Sequence, residues 1–181
     1  MTLLIAEVKT QSPFGYKSDK SWEYLLQIAC TNGDWVSIHT DSRWDGSWKK
    51  LKIARESTRK PILAKGYHSN DDEIRKALDL GANYVLVVNR IPDLKLLPYC
   101  LIEPQTIDDL IRLPQNTKAV WNDRDLNRHG TRKVETYALA RKNWSGWLCQ
   151  ASFIRDKKDI NPQASAILVG EGLESYLQSL K

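Results

Sequence analysis

The stretch LLIAEVKTQSPFG, residues 3–15, is typical of a short apolar strand that ends in charged residues and then turns. Because side chains alternate between the two faces of a strand, Glu7 and Lys9 share one face. Opposite charges that point inward at the end of an apolar strand would destabilise an ordinary core, but they suit the mouth of an active site. The alternative is a solvated edge strand that carries a surface ion pair.

Seven further apolar runs follow this strand, and amphipathic segments lie between most of them. Strands are predicted at 3–9, 35–40, 61–67, 84–89, 98–103, 118–122, 146–152 and 164–170. Helices are predicted at 21–32, 47–56, 70–80, 106–113, 131–142 and 174–180. Strands that alternate with helices indicate a parallel sheet. Eight of them favour a closed (β/α)8 barrel, whose active site lies at the carboxyl ends of its strands; an open doubly wound sheet is the alternative.

Two connections are too short for the regular pattern. The segment between Asn89 and Pro98 has room for about one turn, and Pro162 interrupts any helix between Ser152 and Ala164. We therefore expect a trimmed α/β barrel in which the helices after the fourth and seventh strands are shortened or missing. No linker or low-complexity segment divides the chain, so residues 1–181 are expected to form a single barrel domain.

Composition excludes several classes of protein. The chain has 41% hydrophobic and 27% charged residues, ordinary values for a globular protein. It has no run of 18 apolar residues and no charged-then-apolar leader, so we expect neither a membrane span nor a signal peptide. Its three widely spaced cysteines favour reduced thiols in a cytoplasmic protein, and its three histidines lack the spacing of metal ligands.

The net charge of the chain is relevant to whether it binds a nucleic acid or a small molecule. A net charge of +5 and seven tryptophans are compatible with nucleic-acid binding. The charges are dispersed, however, and only residues 49–52 and 155–158 form basic clusters. A modest positive balance also suits an anionic small substrate. We therefore expect a monomer that acts on a small molecule, with no nucleic-acid partner.

Polar residues stand at the ends of the third, fifth and sixth predicted strands. Lys65 is placed for acid–base work if its ammonium is partly desolvated, although it could also extend out to solvent. Glu103 shares a face with Leu101, or else it is an exposed residue before the next helix. Asn122 begins a charged segment that is also compatible with a simple Asx turn.

Taken in order, these motifs resemble the indole-3-glycerol phosphate synthase family, a (β/α)8 barrel of tryptophan biosynthesis. The first strand of the family resembles residues 5–15, where IAEVK at 5–9 is followed by SP at 12–13 and by Gly15. Its third strand resembles LAKGY at 63–67. LIE at 101–103 and NDRDL at 122–126 resemble its fifth and sixth strands. The loop after the family's second strand resembles residues 40–47, which contain TD at 40–41 and WDGS at 44–47. Its eighth-strand phosphate loop resembles LVGEGL at 168–173.

The resemblance implies a role for each matching residue. Lys65 would be the general acid and Glu103 the general base, while Glu7 and Lys9 would orient the substrate hydroxyls and Lys65. Asn122 would hold the polyol. The phosphorylated substrate would be bound by Ser12, Trp44, Tyr67, Arg124, Ser152, Gly170 and Glu171, with its phosphate at the backbone N–H groups of the last two loops.

The implied reaction is the decarboxylating ring closure of 1-(2-carboxyphenylamino)-1-deoxyribulose 5-phosphate. It needs neither a metal nor an organic cofactor, and a protein partner from the tryptophan pathway is compatible with it.

The chain departs from the family at the seventh strand. The family has Ala-Glu-Ser-Gly there, and this chain has CQASF at 149–153. The carboxylate is replaced by Ala151, or by Gln150 if the register slips, and Phe153 takes the place of a glycine. No counterpart of the family's N-terminal helical extension is seen before Leu3, so we expect an open barrel mouth.

These departures motivate a second hypothesis, a non-catalytic relative that binds a phosphorylated metabolite or a protein partner. Phosphoribosylanthranilate isomerase activity is a third. It is disfavoured because that enzyme uses a first-strand cysteine, and no cysteine lies near Glu7.

Overall fold

Eight parallel strands close into a barrel in the computed structural model, which describes residues 2–181. Each strand pairs with its neighbours in chain order, and the eighth pairs with the first. This arrangement confirms the (β/α)8 barrel and excludes an open doubly wound sheet. The strands are β1 Leu3–Val8, β2 Trp35–His39, β3 Ile62–Lys65, β4 Tyr84–Val88, β5 Cys100–Glu103, β6 Lys118–Asn122, β7 Leu148–Ala151 and β8 Ala166–Val169.

Helices cover the outside of the barrel unevenly. They are α1 Trp22–Asn32, α2 Trp48–Ser57, α3 Asp71–Asp79, α4 Ile107–Ile111, α5 Tyr137–Asn143 and α6 Leu173–Gln178. The connections after β4 and β7 contain single 3-10 turns, Leu97–Tyr99 and Lys157–Asp159, which confirms that these two helices are reduced. Among the described residues, no helix is long and apolar enough to cross a membrane.

Side-chain caps fix where several helices begin. The Ser21 hydroxyl accepts the Tyr24 N–H at the start of α1, and the Asn70 side chain accepts the Glu73 N–H at the start of α3, as their positions in the sequence predict. The predicted start of α5 at residue 131 is wrong. Residues 131–136 instead form a loop that folds back on the end of β6, and the Thr136 hydroxyl caps the helix.

The strands separate two apolar layers. The outer layer lies between the strands and the helices, and the inner layer fills the lumen. At the amino end of the barrel, the Trp35 ring stacks on Tyr84 at 4.4 Å and on Trp147 at 6.3 Å. Aromatic rings and aliphatic side chains thus close this end, and the inward-facing polar residues gather at the carboxyl ends of the strands.

Candidate active site

A cavity of about 200 Å³ opens at the carboxyl ends of the strands. Strand parity points Glu7 of β1, Lys65 of β3, Glu103 of β5 and Asn122 of β6 into it, because each lies two residues after an inward apolar side chain of its strand. The cavity is lined by all of the predicted catalytic and binding residues except Ser12: Glu7, Lys9, Trp44, Lys65, Tyr67, Glu103, Asn122, Arg124, Ser152, Gly170 and Glu171.

Ser12 lies outside the cavity lining, and its side chain is buried in the turn that follows β1. Its hydroxyl oxygen accepts the backbone N–H of Phe14 at 3.3 Å. The serine hydroxyl therefore stabilises the Ser-Pro turn, and a contact between Ser12 and the substrate stays a prediction.

Glu7 is the centre of a buried polar cluster. Its side chain is 4% exposed, and its Oε1 accepts a hydrogen bond from Lys65 Nζ at 2.8 Å and another from His39 Nε2. Such burial excludes a surface ion pair on a solvated strand. Burial by itself raises the pKa of Glu7, but Lys65, His39 and Lys9 outweigh that effect and hold the pKa well below its usual range.

His39 remains a neutral imidazole beside this carboxylate. Desolvation lowers its pKa from 6.5 to about 4, against the opposing pull of Glu7. The nearby Lys65 and Lys9 ammonium groups lower it further. Glu7 therefore carries the negative charge of the cluster, and the imidazole contributes a hydrogen bond without a charge.

Lys9 pairs with a residue from the other end of the chain. Its Nζ lies 2.7 Å from Glu171 Oε1, and Arg124 Nη2 lies 3.0 Å from Glu171 Oε2. Burial raises the pKa of Glu171, but the two cations outweigh it and lower the pKa overall. Desolvation lowers the pKa of Lys9, partly offset by Glu7 and Glu171. This bridge ties the loops after β1, β6 and β8 together at the cavity mouth.

A chain of hydrogen bonds links the seventh-strand loop to Glu103. The Ser152 hydroxyl donates to Asn122 Oδ1 at 2.6 Å, and Asn122 Nδ2 donates to Glu103 Oε1 at 3.0 Å. Asn122 Oδ1 also accepts the Arg124 backbone N–H at 3.0 Å. These contacts fix the orientation of the Asn122 amide and hold the Glu103 carboxylate, which is 2% exposed, at the cavity floor.

The register of β7 is resolved by its side-chain contacts. Ala151 belongs to the apolar layer in the lumen and pairs across from Asn122. Gln150 points away from the lumen, where its Nε2 donates to the Asp159 carbonyl and its Oε1 accepts the Asn161 N–H. The inward position at the end of β7 is therefore held by a methyl group, and no carboxylate reaches the cavity from this strand.

The loop after β7 has an unusual backbone. Ser152 and Phe153 have φ values of +71° and +57°, in the left-handed region that disfavours residues with a Cβ atom. The Phe153 ring contacts two guanidinium groups, with Arg124 at 4.9 Å and Arg132 at 4.6 Å from its centroid. These cation–π contacts stabilise the side chain of a residue whose backbone is strained.

Aromatic rings form one wall of the cavity. Trp44 stacks on the His39 ring at 5.6 Å with an angle of 2° between the planes, and it meets Tyr67 at 6.2 Å. Phe14 contacts Trp44 edge-on at 6.2 Å. Such a wall is suited to a flat apolar group, so the cavity combines an aromatic side with a charged floor.

Sequence reasoning missed His39, Phe14 and Arg155, which also line the cavity. His39 carried a usable signal, because it ends β2 and shares the inward parity of Trp35 and Ser37. Within residues 2–181, no group of histidine, cysteine, aspartate or glutamate is arranged to hold a metal ion.

Comparison with curated proteins gives a consistent set of relatives, although no family model matches the chain. The chain is 26% identical to the indole-3-glycerol phosphate synthase of Petrotoga mobilis over 94% of its own length and 78% of that enzyme. It is 28% identical to the Pyrococcus furiosus synthase over 69% of the chain and 62% of the enzyme. It is 30% identical to the Sulfurisphaera tokodaii synthase, of which it spans 37%.

Solved structures share the barrel. Phosphoribosylanthranilate isomerase from Thermotoga maritima superposes with a TM-score of 0.64 at 10% identity, covering 99% of this chain and 98% of that one. The citrate synthase SbnG superposes with a TM-score of 0.61 at 13% identity, covering 93% and 85%. These low identities establish the fold alone. The curated relatives, in contrast, all have the same name, and they confirm that this chain resembles the indole-3-glycerol phosphate synthase family.

Proposed function

We propose that the chain is an indole-3-glycerol phosphate synthase-like lyase. In this reaction 1-(2-carboxyphenylamino)-1-deoxyribulose 5-phosphate closes to an indole, and CO₂ and water are lost. The observation that carries the proposal is the convergence of Glu7, Lys65, Glu103 and Asn122 in one cavity. Each stands at the end of the strand where the corresponding family motif occurs.

Ring closure needs a proton donor at one oxygen. The aromatic carbon that bears the carboxylate attacks the ribulose carbonyl carbon, and the carbonyl oxygen takes up a proton as it becomes a hydroxyl. The Lys65 ammonium, held by Glu7 at 2.8 Å, is suited to supply that proton. The bond to the carboxylate then breaks, and its electrons restore the aromatic ring as CO₂ leaves.

Dehydration needs a group that both takes and returns protons. The new hydroxyl leaves as water after it gains a proton, and the carbon next to the ring nitrogen loses one. Glu103 lies at the cavity floor with one oxygen held by Asn122, so its other oxygen is free of that amide and is available for proton transfer. Asn122 would position the polyol as well as this base.

The charge of the cavity supports an anionic substrate. Its lining holds four cationic side chains, Lys9, Lys65, Arg124 and Arg155, against three carboxylates. His39 adds no charge, because its pKa is lowered to about 4. Trp44 and Tyr67 would pack on the anthranilate ring of the substrate. Its phosphate would be bound near Ser152, Gly170 and Glu171, where Phe153 restricts the approach of the backbone.

Ala151 and Phe153 favour a second candidate function. The seventh strand brings a methyl group rather than a carboxylate to the cavity, and the Phe153 ring contacts two arginines in the region proposed for phosphate. A barrel with these changes could bind a phosphorylated metabolite or a protein partner without turning a substrate over.

Indole fluorescence distinguishes the two candidates. The purified chain is incubated with the carboxyphenylamino-deoxyribulose phosphate, and the indole product is followed by emission and identified by mass. We expect slow turnover that is absent in the Lys65→Ala variant. Binding of a reduced substrate analogue without product would favour the non-catalytic candidate. Absence of both binding and product would contradict the family function altogether.

A further inference from the structure

His39 is held in one orientation at the edge of the proposed site. It is the last residue of β2, its side chain is 5% exposed, and it pairs in register with Lys65 of β3. The Trp44 ring stacks on the imidazole with nearly parallel planes. This contact restricts the plane of the imidazole, and the hydrogen bond to Glu7 Oε1 sets the direction in which its Nε2 points.

The two oxygens of Glu7 have different surroundings. Oε1 receives hydrogen bonds from both His39 Nε2 and Lys65 Nζ. Oε2 receives no hydrogen bond from any side chain of residues 2–181, and it packs against Gly170, where an added Cβ atom would lie 2.3 Å from it. A carboxylate oxygen that borders the cavity and keeps its lone pairs is available to a hydroxyl of the substrate.

The proton of the His39 ring lies on Nε2. Because Glu7 is ionised, Nε2 must donate to it, and this assigns the tautomer by chemistry. Nδ1 is buried and has no hydrogen-bond partner within residues 2–181, so a second proton there would be a buried, unpaired donor. The charged groups that face the ring are Glu7 from β1, Lys9 from the loop after β1, Lys65 from β3 and Asp41 from the turn after β2.

We propose that His39 is a positioning residue that acts through Glu7. As a neutral imidazole protonated at Nε2, it occupies Oε1 of Glu7 together with Lys65 and leaves Oε2 to accept a hydrogen bond from a substrate hydroxyl. It also connects the aromatic wall to the charged floor, because Trp44 orients the imidazole and the imidazole orients Glu7. The catalytic part of this inference rests on the proposed function, whereas the tautomer and the hydrogen bond do not.

The tautomer is tested without any substrate. The chain is labelled with ¹⁵N at its three histidines, the ring nitrogens are followed by NMR between pH 5 and pH 8, and His39 is assigned from the spectrum of His39→Gln. We expect a neutral ring with its proton on Nε2 throughout this range. An imidazolium at pH 7, or a ring protonated on Nδ1 alone, would overturn the proposal.

Kinetics test the positioning role. His39→Leu removes the hydrogen bond to the Glu7 charge, and we expect kcat/KM to fall by about 10- to 100-fold, the range for one hydrogen bond to a charged group. In the pH profile of kcat/KM for His39→Leu, the acid limb should shift to higher pH. The Glu7 carboxylate has lost a hydrogen-bond donor that stabilises its charged form, so its pKa rises. His39→Gln retains an amide donor, so it should restore most of the rate and the original limb.

The controls separate positioning from folding and from the proposed function. Both variants are compared with the original chain by circular dichroism and thermal unfolding. A rate loss of equal size in His39→Leu and His39→Gln, with an unshifted acid limb, would show a packing role and overturn the proposal. If the original chain makes no indole, the lyase function fails, and the NMR titration still decides the state of His39.

Discussion

The Lys65 ammonium lies 2.8 Å from Glu7 Oε1, and this ion pair joins β3 to β1 across the intervening strand β2. Lys65 is 16% exposed and Glu7 is 4% exposed, so the carboxylate is the more buried partner, although both side chains line the cavity. A proton donor at a cavity surface needs a fixed direction, and the buried carboxylate supplies it. The pair therefore supports the assignment of Lys65 as the acid and Glu7 as the group that orients it.

Lys65→Ala is expected to abolish turnover without unfolding the barrel. General acid–base groups contribute about 10²- to 10⁴-fold in rate, and this one is proposed to act in the ring-closing step. The measurement is kcat by indole fluorescence, with circular dichroism to check the fold. Lys49→Ala, at an exposed position of α2, is the matched control and should leave kcat unchanged. Near-normal turnover in Lys65→Ala would refute the mechanism.

Glu103→Gln tests proton transfer separately from shape. The glutamine side chain is nearly isosteric, and its carbonyl oxygen can still accept the hydrogen bond that Asn122 Nδ2 donates. We expect kcat to fall by about 10²-fold or more, because the amide cannot take a proton. Ser152→Ala is the comparison, since it removes the hydroxyl that holds Asn122 and should cost less. Equal, small losses in both variants would mean that Glu103 only positions other groups.

Much of this arrangement could be predicted from the sequence. Parity within a strand placed Glu7 and Lys9 on one face, and the order of the strands placed Lys65, Glu103 and Asn122 at the same end. Ion-pair partners could not be predicted, because they depend on how the barrel closes. Lys9 contacts Glu171, 162 positions along the chain, although Glu7 is only two residues before it.

Local hydrogen bonding accounts for the other differences. The hydroxyl of Ser12, which the family motif predicts to bind the substrate, accepts a backbone N–H within its own turn, a local contact that serine side chains commonly make. The segment before Tyr137 has a helical pattern, but its backbone N–H groups are drawn into contacts with the end of β6, such as Lys133 N–H with the Asp123 carbonyl.

Gly170→Ala is expected to impair the site more than the fold. Its new Cβ atom would lie 2.3 Å from Glu7 Oε2, so the carboxylate must move from the position that Lys65 and His39 define. We expect kcat/KM to fall at least tenfold, with a smaller change in thermal unfolding. Gly146→Ala is the control, because its Cβ would meet the Trp144 ring at 2.8 Å, away from the cavity. If both variants behaved alike, the close approach at Gly170 would have no functional meaning.

Acid is expected to destabilise the fold in two stages. The folded pKa of His39 is about 4 against an ordinary 6.5, so below pH 6.5 the unfolded chain binds a proton that the folded chain does not, and stability falls. His68, whose burial lowers its pKa, adds to this stage. Glu7 and Glu171 have lowered pKa values; their stabilisation is present above about pH 4.5 and is lost as the pH falls through the folded values.

Thermal unfolding from pH 8 to pH 3 measures both stages. His39→Gln should flatten the decline between pH 6.5 and pH 4.5 relative to the original chain, and His129→Gln, at an exposed position, should leave it unchanged. Glu171→Gln should reduce the loss below pH 4.5, because the carboxylate that pairs with Lys9 and Arg124 is gone. If the original chain became more stable as the pH was lowered from 6.5 to 4.5, the neutral state of His39 would be contradicted.

Phe153→Gly is expected to tighten the binding of inorganic phosphate. The backbone at this position has φ of +57°, which glycine adopts without the penalty of about 1–2 kcal/mol that a Cβ atom brings. Loss of the ring also removes its cation–π contacts with Arg124 and Arg132, each worth about 0.5–1 kcal/mol, although Arg124 keeps its ion pair with Glu171. The loss of these contacts and the closer backbone approach should increase phosphate affinity by up to about tenfold, measured by calorimetry. Phe153→Ala removes the ring but keeps the strain, so the difference between the two variants isolates the contribution of the backbone. Unchanged or weaker binding in both would mean that the anion lies elsewhere or that the ring itself contacts it.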